Sequence, residues 1–409
     1  MKKIIIILIA IVSITLVLIL GWYFFVNKQE VPLKEAIRNS LPFGSGEDIT
    51  KPTTNDQRPT TEDGQQAAFD EFGSPTAKLF RISNTPVAGA IALTKNGQAI
   101  VRYVDRATGH IYDTNLATLV KIKVTNQTLP KIYEAYFRPD GNAVLLRSLK
   151  DDSDVVENRV FTLTSPKSTS TDNLYTVSST ALRGDISTIA VAGTGNTLFY
   201  ALRDVSSVVS STFNGTGSKT LLTSPFSDWR LAMTGNSLVL HTKASTNVSG
   251  YAYTLNTSNG VLTKILGPLN GLLALPNASG NQVLYSYVEN NETRLFAKNL
   301  QSKDVSEISP ATLAEKCVWS AKNTNTVFCG APTYNPEAGE PDNWYSGVTH
   351  FSDRIWSFDT SIEIAKILAE PKENLGIDID VIEPKLSPNE DYLIFVNKTD
   401  LSLWALRLE

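Results

Sequence analysis

Beyond Pro75 the chain is a succession of short apolar runs separated by Gly, Asn and Asp, with apolar and polar positions alternating within many of them. A period of two puts successive side chains on opposite faces of an extended strand, so the pattern predicts β-structure with little helix. The runs come in pairs joined by short polar turns. They fall at residues 90–93 and 99–103, 134–137 and 143–146, 188–191 and 197–200, and 229–232 and 237–240. Three more follow at 272–275 and 283–286, 317–319 and 327–329, and 384–386 and 392–395. The turns, such as Asn96-Gly97, Asp140-Gly141 and Gly280-Asn281, recur mostly every 40 to 55 residues or so, with a wider gap before the last. A repeat of that length holds four strands and is the period of a propeller blade, whereas a sandwich shows no such period. The expected fold is all-β, a seven-bladed β-propeller.

Both ends of the pattern bear on closure. After the seventh pair only one strand remains, residues 401–406, and before the first pair stands an unassigned strand, residues 77–82. If the early strand supplies the outer strand of the last blade, the ring closes and no blade is left incomplete.

The hydrophobicity of the N-terminus is of another kind. Residues 4–26 are an unbroken apolar run interrupted only by Ser13 and Thr15, preceded by Lys2 and Lys3 and carrying Trp22 and Tyr23 near its far end. As a helix it would measure about 35 Å, enough to cross a hydrocarbon core of about 30 Å. It exceeds a signal-peptide core, and no small-residue cleavage site follows, so it reads as an uncleaved anchor. The lysines place residues 1–3 in the cytoplasm and everything after the anchor outside, a single-pass arrangement in the cell membrane. Residues 27–75 are polar and proline-spaced, a flexible stalk with one short apolar face at residues 62–72, and residues 76–409 form the propeller.

Arg138-Pro139-Asp140-Gly141-Asn142-Ala143-Val144-Leu145 and Leu386-Ser387-Pro388-Asn389-Glu390-Asp391-Tyr392-Leu393 resemble the S-P-D-G-x-x-[IL] signature of TolB-type, WD-repeat-like propellers. The resemblance implies a ring scaffold used mainly for binding proteins or ligands. No WD dipeptide is present.

Composition narrows the chemistry. With 37 basic against 41 acidic residues the net charge is −4, which excludes a strongly basic nucleic-acid binder. Phosphate loops, nucleophile elbows and dinucleotide fingerprints are missing, so the sequence calls for no cofactor and marks no catalytic residue. A hydrolase built on two carboxylates from distant blades, acting on carbohydrate or another substrate, leaves no local motif and stays open as the alternative. Cys317 and Cys329 flank the sixth hairpin in a register that puts them opposite each other, which predicts a structural disulfide; two buried thiols are the other reading. Asp151, Asp152, Asp154 and Glu157 crowd one turn without the spacing of a cation loop and read as solvated, so no metal site is expected.

The sixth unit alone carries a long insertion, residues 330–352, between its second and third strands. It holds Tyr334, Glu337, Glu340, Asp342, Trp344, Tyr345, His350 and Phe351. Aromatic rings beside carboxylates suit a binding surface, and Tyr334, Asp342, Trp344, Tyr345 and His350 are the candidates for contact with a protein or glycan of the cell envelope. The competing reading is that Trp344 and Tyr345 pack the loop onto its blade.

Overall fold

The chain divides into two units, Met1–Arg58 and Pro59–Glu409. A computed structural model describes residues 77–408 of the second, except 151, 152, 154, 167–172, 227, 236, 335, 337 and 338. The expected anchor and stalk, and three of the four acidic residues near position 151, lie outside the described residues. Among the described residues no helix is long and apolar enough to cross a membrane.

A first strand, β1 (Leu79–Ser83), precedes seven repeats. Blade 1 is β2 (Val87–Lys95), β3 (Gln98–Asp105), β4 (Ile111–Asn115) and β5 (Lys121–Lys123). Blade 2 is β6 (Ile132–Phe137), β7 (Ala143–Leu149), β8 (Val156–Thr164) and β9 (Thr176–Leu182). Blade 3 is β10 (Ile186–Val191), β11 (Thr197–Leu202), β12 (Ser207–Thr212) and β13 (Lys219–Thr223). Blade 4 is β14 (Trp229–Thr234), β15 (Ser237–Thr242), β16 (Ser249–Asn256) and β17 (Leu262–Asn270). Blade 5 is β18 (Leu273–Pro276), β19 (Gln282–Glu289), β20 (Glu292–Asn299) and β21 (Val305–Glu307). Blade 6 is β22 (Cys317–Trp319), β23 (Thr326–Pro332), β24 (Asp353–Asp359) and β25 (Ile364–Ala369). Blade 7 contributes β26 (Val381–Leu386), β27 (Tyr392–Asn397) and β28 (Leu403–Arg407), and its fourth strand is β1, paired antiparallel with β28.

The described residues form a seven-bladed β-propeller. Seven apolar clusters fill the junctions between neighbouring blades. The one between blades 7 and 1 joins Tyr392, Ile394 and Val396 to Val87, Ala90 and Tyr103, so the ring is closed by packing as well as by the shared sheet. Burial explains why the second strands read so apolar. In β27 all six residues are buried, because blades cover both faces of the sheet, whereas outer strands such as β9 and β25 are largely exposed. β1 departs from that rule, with Leu79 and Phe80 buried.

Two arginines of second strands tie successive blades. Arg102 holds Asp113 through two hydrogen bonds, at 2.7 and 2.8 Å, and donates to the Gly141 carbonyl of blade 2 at 2.9 Å. Arg147 repeats the reach, donating to the Ile186 carbonyl of blade 3 at 2.9 Å. Cys317 and Cys329 face each other across β22 and β23 and form a disulfide, as their register predicts.

The links between blades and the turns from second to third strand share one face of the ring, the link face. The first-to-second and third-to-fourth turns share the other.

Candidate functional site

The insertion begins later than its sequence suggests, because β23 runs on to Pro332. It then crosses the link face and carries a short helix, α1 (Asp342–Ser346), ended by Gly347 at φ 78°. Its anchors lie on blades that are not neighbours. From blade 4, Ser245 Oγ and the Thr246 amide donate to Asp342 Oδ2 at 2.8 and 3.0 Å, and Thr246 Oγ1 donates to the Glu340 carbonyl at 3.1 Å. From blade 7, Lys398 Nζ donates to the Trp344 carbonyl at 2.7 Å. One loop of blade 6 is thus fastened to blades 4 and 7, and the propeller face beneath it is braced.

Beneath α1 sits a charged core. Lys316 ends a 3-10 turn (Ala314–Lys316) just before β22, and its side chain is fully buried, as is that of Asp353. Its ammonium donates to Asp380, to Asp353 Oδ2 at 2.8 Å and to the Val381 carbonyl at 3.1 Å. The rings of Trp344 and Phe351 cover it, with centroids 5.1 and 4.9 Å from Nζ. Asp380 also accepts the Trp344 indole N–H, at 2.9 and 3.0 Å from its two oxygens, and the Phe351 amide at 3.2 Å. Two carboxylates and one ammonium leave a surplus negative charge. Burial, reinforced by the neighbouring Asp380, pushes the Asp353 carboxyl up to about 6, against the pull of Lys316, and its Oδ1 has no hydrogen-bond partner. Gly330 makes room for this group: a Cβ there would lie 2.5 Å from Val381 Cβ and 2.8 Å from Asp353 Oδ2.

Outside that core the insertion walls a cavity of about 440 Å³ with α2 (Pro371–Leu375), which links blade 6 to blade 7. Tyr334, 84% exposed, and the exposed His350 stand on its lining, with the buried Glu340, Phe351 and Asp353 and the partly buried Arg354. Arg354 is held at 3.1 Å by Glu370, another lining residue.

The five sequence candidates therefore separate. Tyr334 and His350 share the cavity. Trp344, at 4% exposure, is not on the cavity lining; its ring covers Lys316 and its indole N–H is bonded to Asp380. Asp342 is committed to blade 4. Tyr345 turns to the other side of α1 and hydrogen-bonds Glu315. Both keep some contact with water, yet protein crowds them on most sides. That crowding raises the Glu315 carboxyl above its ordinary range and the Tyr345 hydroxyl with it. Lys316, Asp353 and Asp380 escaped sequence reasoning. They meet across as many as 64 residues of chain, and each looks locally like an ordinary charged residue beside a strand.

Carboxylates of the inner strands are engaged by cations. Glu134 of β6 accepts from Arg147 at 2.7 Å and from the Tyr136 hydroxyl at 3.0 Å, and Glu383 of β26 lies 3.3 Å from Lys385 Nζ. Among the described residues, no group of three or more His, Cys, Asp or Glu side chains is placed to hold a metal ion.

No family model matches the chain, and no curated protein does either. Solved structures are similar at the level of chain course. An oligogalacturonate lyase in complex with manganese is 10% identical, with a TM-score of 0.48, over 79% of this chain and 97% of its own. TolB from Acinetobacter baumannii is 11% identical, with a TM-score of 0.41, over 76% of this chain and 64% of its own. The tricorn protease is 12% identical, with a TM-score of 0.38, over 76% of this chain and 28% of its own. Function has to be read from this chain's own residues.

Proposed function

We propose that this chain is a membrane-anchored, extracytoplasmic propeller that acts as a non-enzymatic scaffold, binding a protein or glycan of the cell envelope at the outer rim of blade 6. The observation that carries the reading is the cavity of about 440 Å³, with exposed Tyr334 and His350 on its lining and a floor braced to three blades. An exposed ring at the edge of the cavity offers stacking area, and the nearby carboxylates accept hydrogen bonds. The apolar run at residues 4–26 supports the anchor, and a Cys317–Cys329 disulfide fits an oxidising exterior.

The test uses an impermeant crosslinker on intact cells expressing the full chain, followed by capture through a C-terminal tag. Tyr334→Ala with His350→Ala is expected to cut the captured partner about 30-fold, the equivalent of ~2 kcal/mol, and to leave the melting temperature unchanged. Trp344→Ala is expected to lower the melting temperature, because it empties a packed site. Capture that survives the first pair of substitutions would refute the rim as the binding surface.

A further inference from the structure

A second cavity, of about 670 Å³, opens between blades 4 and 5 on the face opposite the insertion. Its walls are the facing β14–β15 and β18–β19 turns, the ends of β16 and β17, and Lys298 and Lys303 of blade 5. The whole chain carries more acid than base, 41 against 37 residues. Among the described residues this lining nevertheless holds three lysines, Lys264, Lys298 and Lys303, and no carboxylate. Five of the remaining lining side chains carry hydroxyls; those of Thr234, Thr254 and Ser279 donate within the protein, to the Asn277 and Thr263 carbonyls and to Asn281 Oδ1, and keep their acceptor capacity.

The ammonium groups are poorly compensated. Lys298 Nζ donates to the Ile265 carbonyl at 3.2 Å and Lys303 Nζ to the Leu300 carbonyl at 2.5 Å, while Lys264 Nζ stands 4.8 Å over the Tyr251 ring. Each ammonium has three donors, so neutral acceptors of this kind leave both charge and hydrogen-bonding capacity unused. Lys264, Lys298 and Lys303 bring three positive charges to this lining with no described carboxylate among the lining residues to offset them, a balance that an anion relieves. The volume lies in the range of small-molecule sites and far exceeds the need of a bare oxyanion. The hydroxyl-bearing wall suits the body of a polyol, whose O–H groups donate to these oxygens.

We propose that this cavity binds a phosphorylated polyol or sugar, with the lysines on the phosphate and the hydroxyl residues on the polyol. The site lies on the other face from the blade 6 rim and does not depend on it. The test is calorimetric titration of the full chain in detergent with glucose 6-phosphate, glycerol 3-phosphate, inorganic phosphate and glucose. At least one ester is expected to bind saturably, one per chain, at least tenfold tighter than inorganic phosphate or glucose, and to weaken as salt rises. Lys264→Gln with Lys298→Gln is expected to weaken that binding more than tenfold while the melting temperature stays put, and Lys303→Gln alone gives a milder second check. Preference for glucose 6-phosphate would assign a free sugar phosphate, and preference for glycerol 3-phosphate a lipid headgroup; either sustains the site. No saturable binding of either ester, or equal affinity in the lysine variants, would overturn it.

Discussion

Replacing Lys316 with methionine is expected to cost the propeller about 3–5 kcal/mol at pH 7.5, because two fully buried carboxylates would lose the one ammonium between them. Calorimetry should register this as a drop of roughly 5–12 °C in melting temperature. The two aspartates are not equivalent partners. Asp380 also accepts the Trp344 indole and the Phe351 amide, so Asp380→Asn should be strongly destabilising. Asp353 has an oxygen without a partner and a carboxyl pushed up to about 6. A group whose folded pKa is raised stabilises the fold fully below its unfolded pKa, near 4, and that contribution disappears as pH rises through about 6. Asp353→Asn should therefore gain on the wild type as pH rises from 4.5 to 7.5, by up to about 2 kcal/mol. A wild-type-to-variant difference that does not change with pH would contradict this view of the surplus charge.

Deleting residues 79–83 is expected to be at least as damaging. β1 pairs with β28 from Leu79↔Leu406 to Ser83↔Leu403, buries Leu79 and Phe80, and lays Arg81 4.8 Å over the Trp404 ring. Loss of the two apolar side chains alone removes about 3–6 kcal/mol of burial, and the bared edge of β28 becomes a template for aggregation. A deletion of equal length within residues 50–60 is the control, expected to leave the melting temperature unchanged. Equal effects of the two deletions would show that the ring closes without its clasp.

The architecture was legible because its strongest signals sit where the physics is simplest. Second strands are sandwiched between blades on both sides, so β3, β7, β19 and β27 are mostly buried and carry apolar runs at their centres, and the period of those runs gives the blade count. Outer strands such as β13 and β25 answer mainly to solvent and carry little pattern. The insertion stood out as a break in the repeat, and Tyr334 and His350 do lie together. Trp344 shows the limit of such reasoning. A tryptophan in a polar loop looks the same in sequence whether it meets a ligand or covers a buried lysine, and only Lys316, 28 positions earlier, decides between the two. The lysine-lined cavity was illegible for the same reason, since Lys264, Lys298 and Lys303 belong to two blades and converge only when those blades stack.

Amide hydrogen exchange on the full chain, resolved to single residues around the insertion, tests most directly whether this loop is a rigid platform with an exposed rim. The Trp344 amide donates to Glu340 Oε2 at 2.8 Å, the Phe351 amide to Asp380 and the Asp353 amide to the Ile379 carbonyl at 2.7 Å. These three amides should be protected nearly as well as those of β27, while that of Tyr334, a residue 84% exposed, should exchange quickly. Lys316→Met should remove the protection at Trp344 and Phe351 and leave that of blades 2 and 3 intact. If Trp344 and Phe351 exchange in the wild type as fast as in an unstructured peptide, the buried lysine does not pin the loop, and the rim it is meant to hold is no platform.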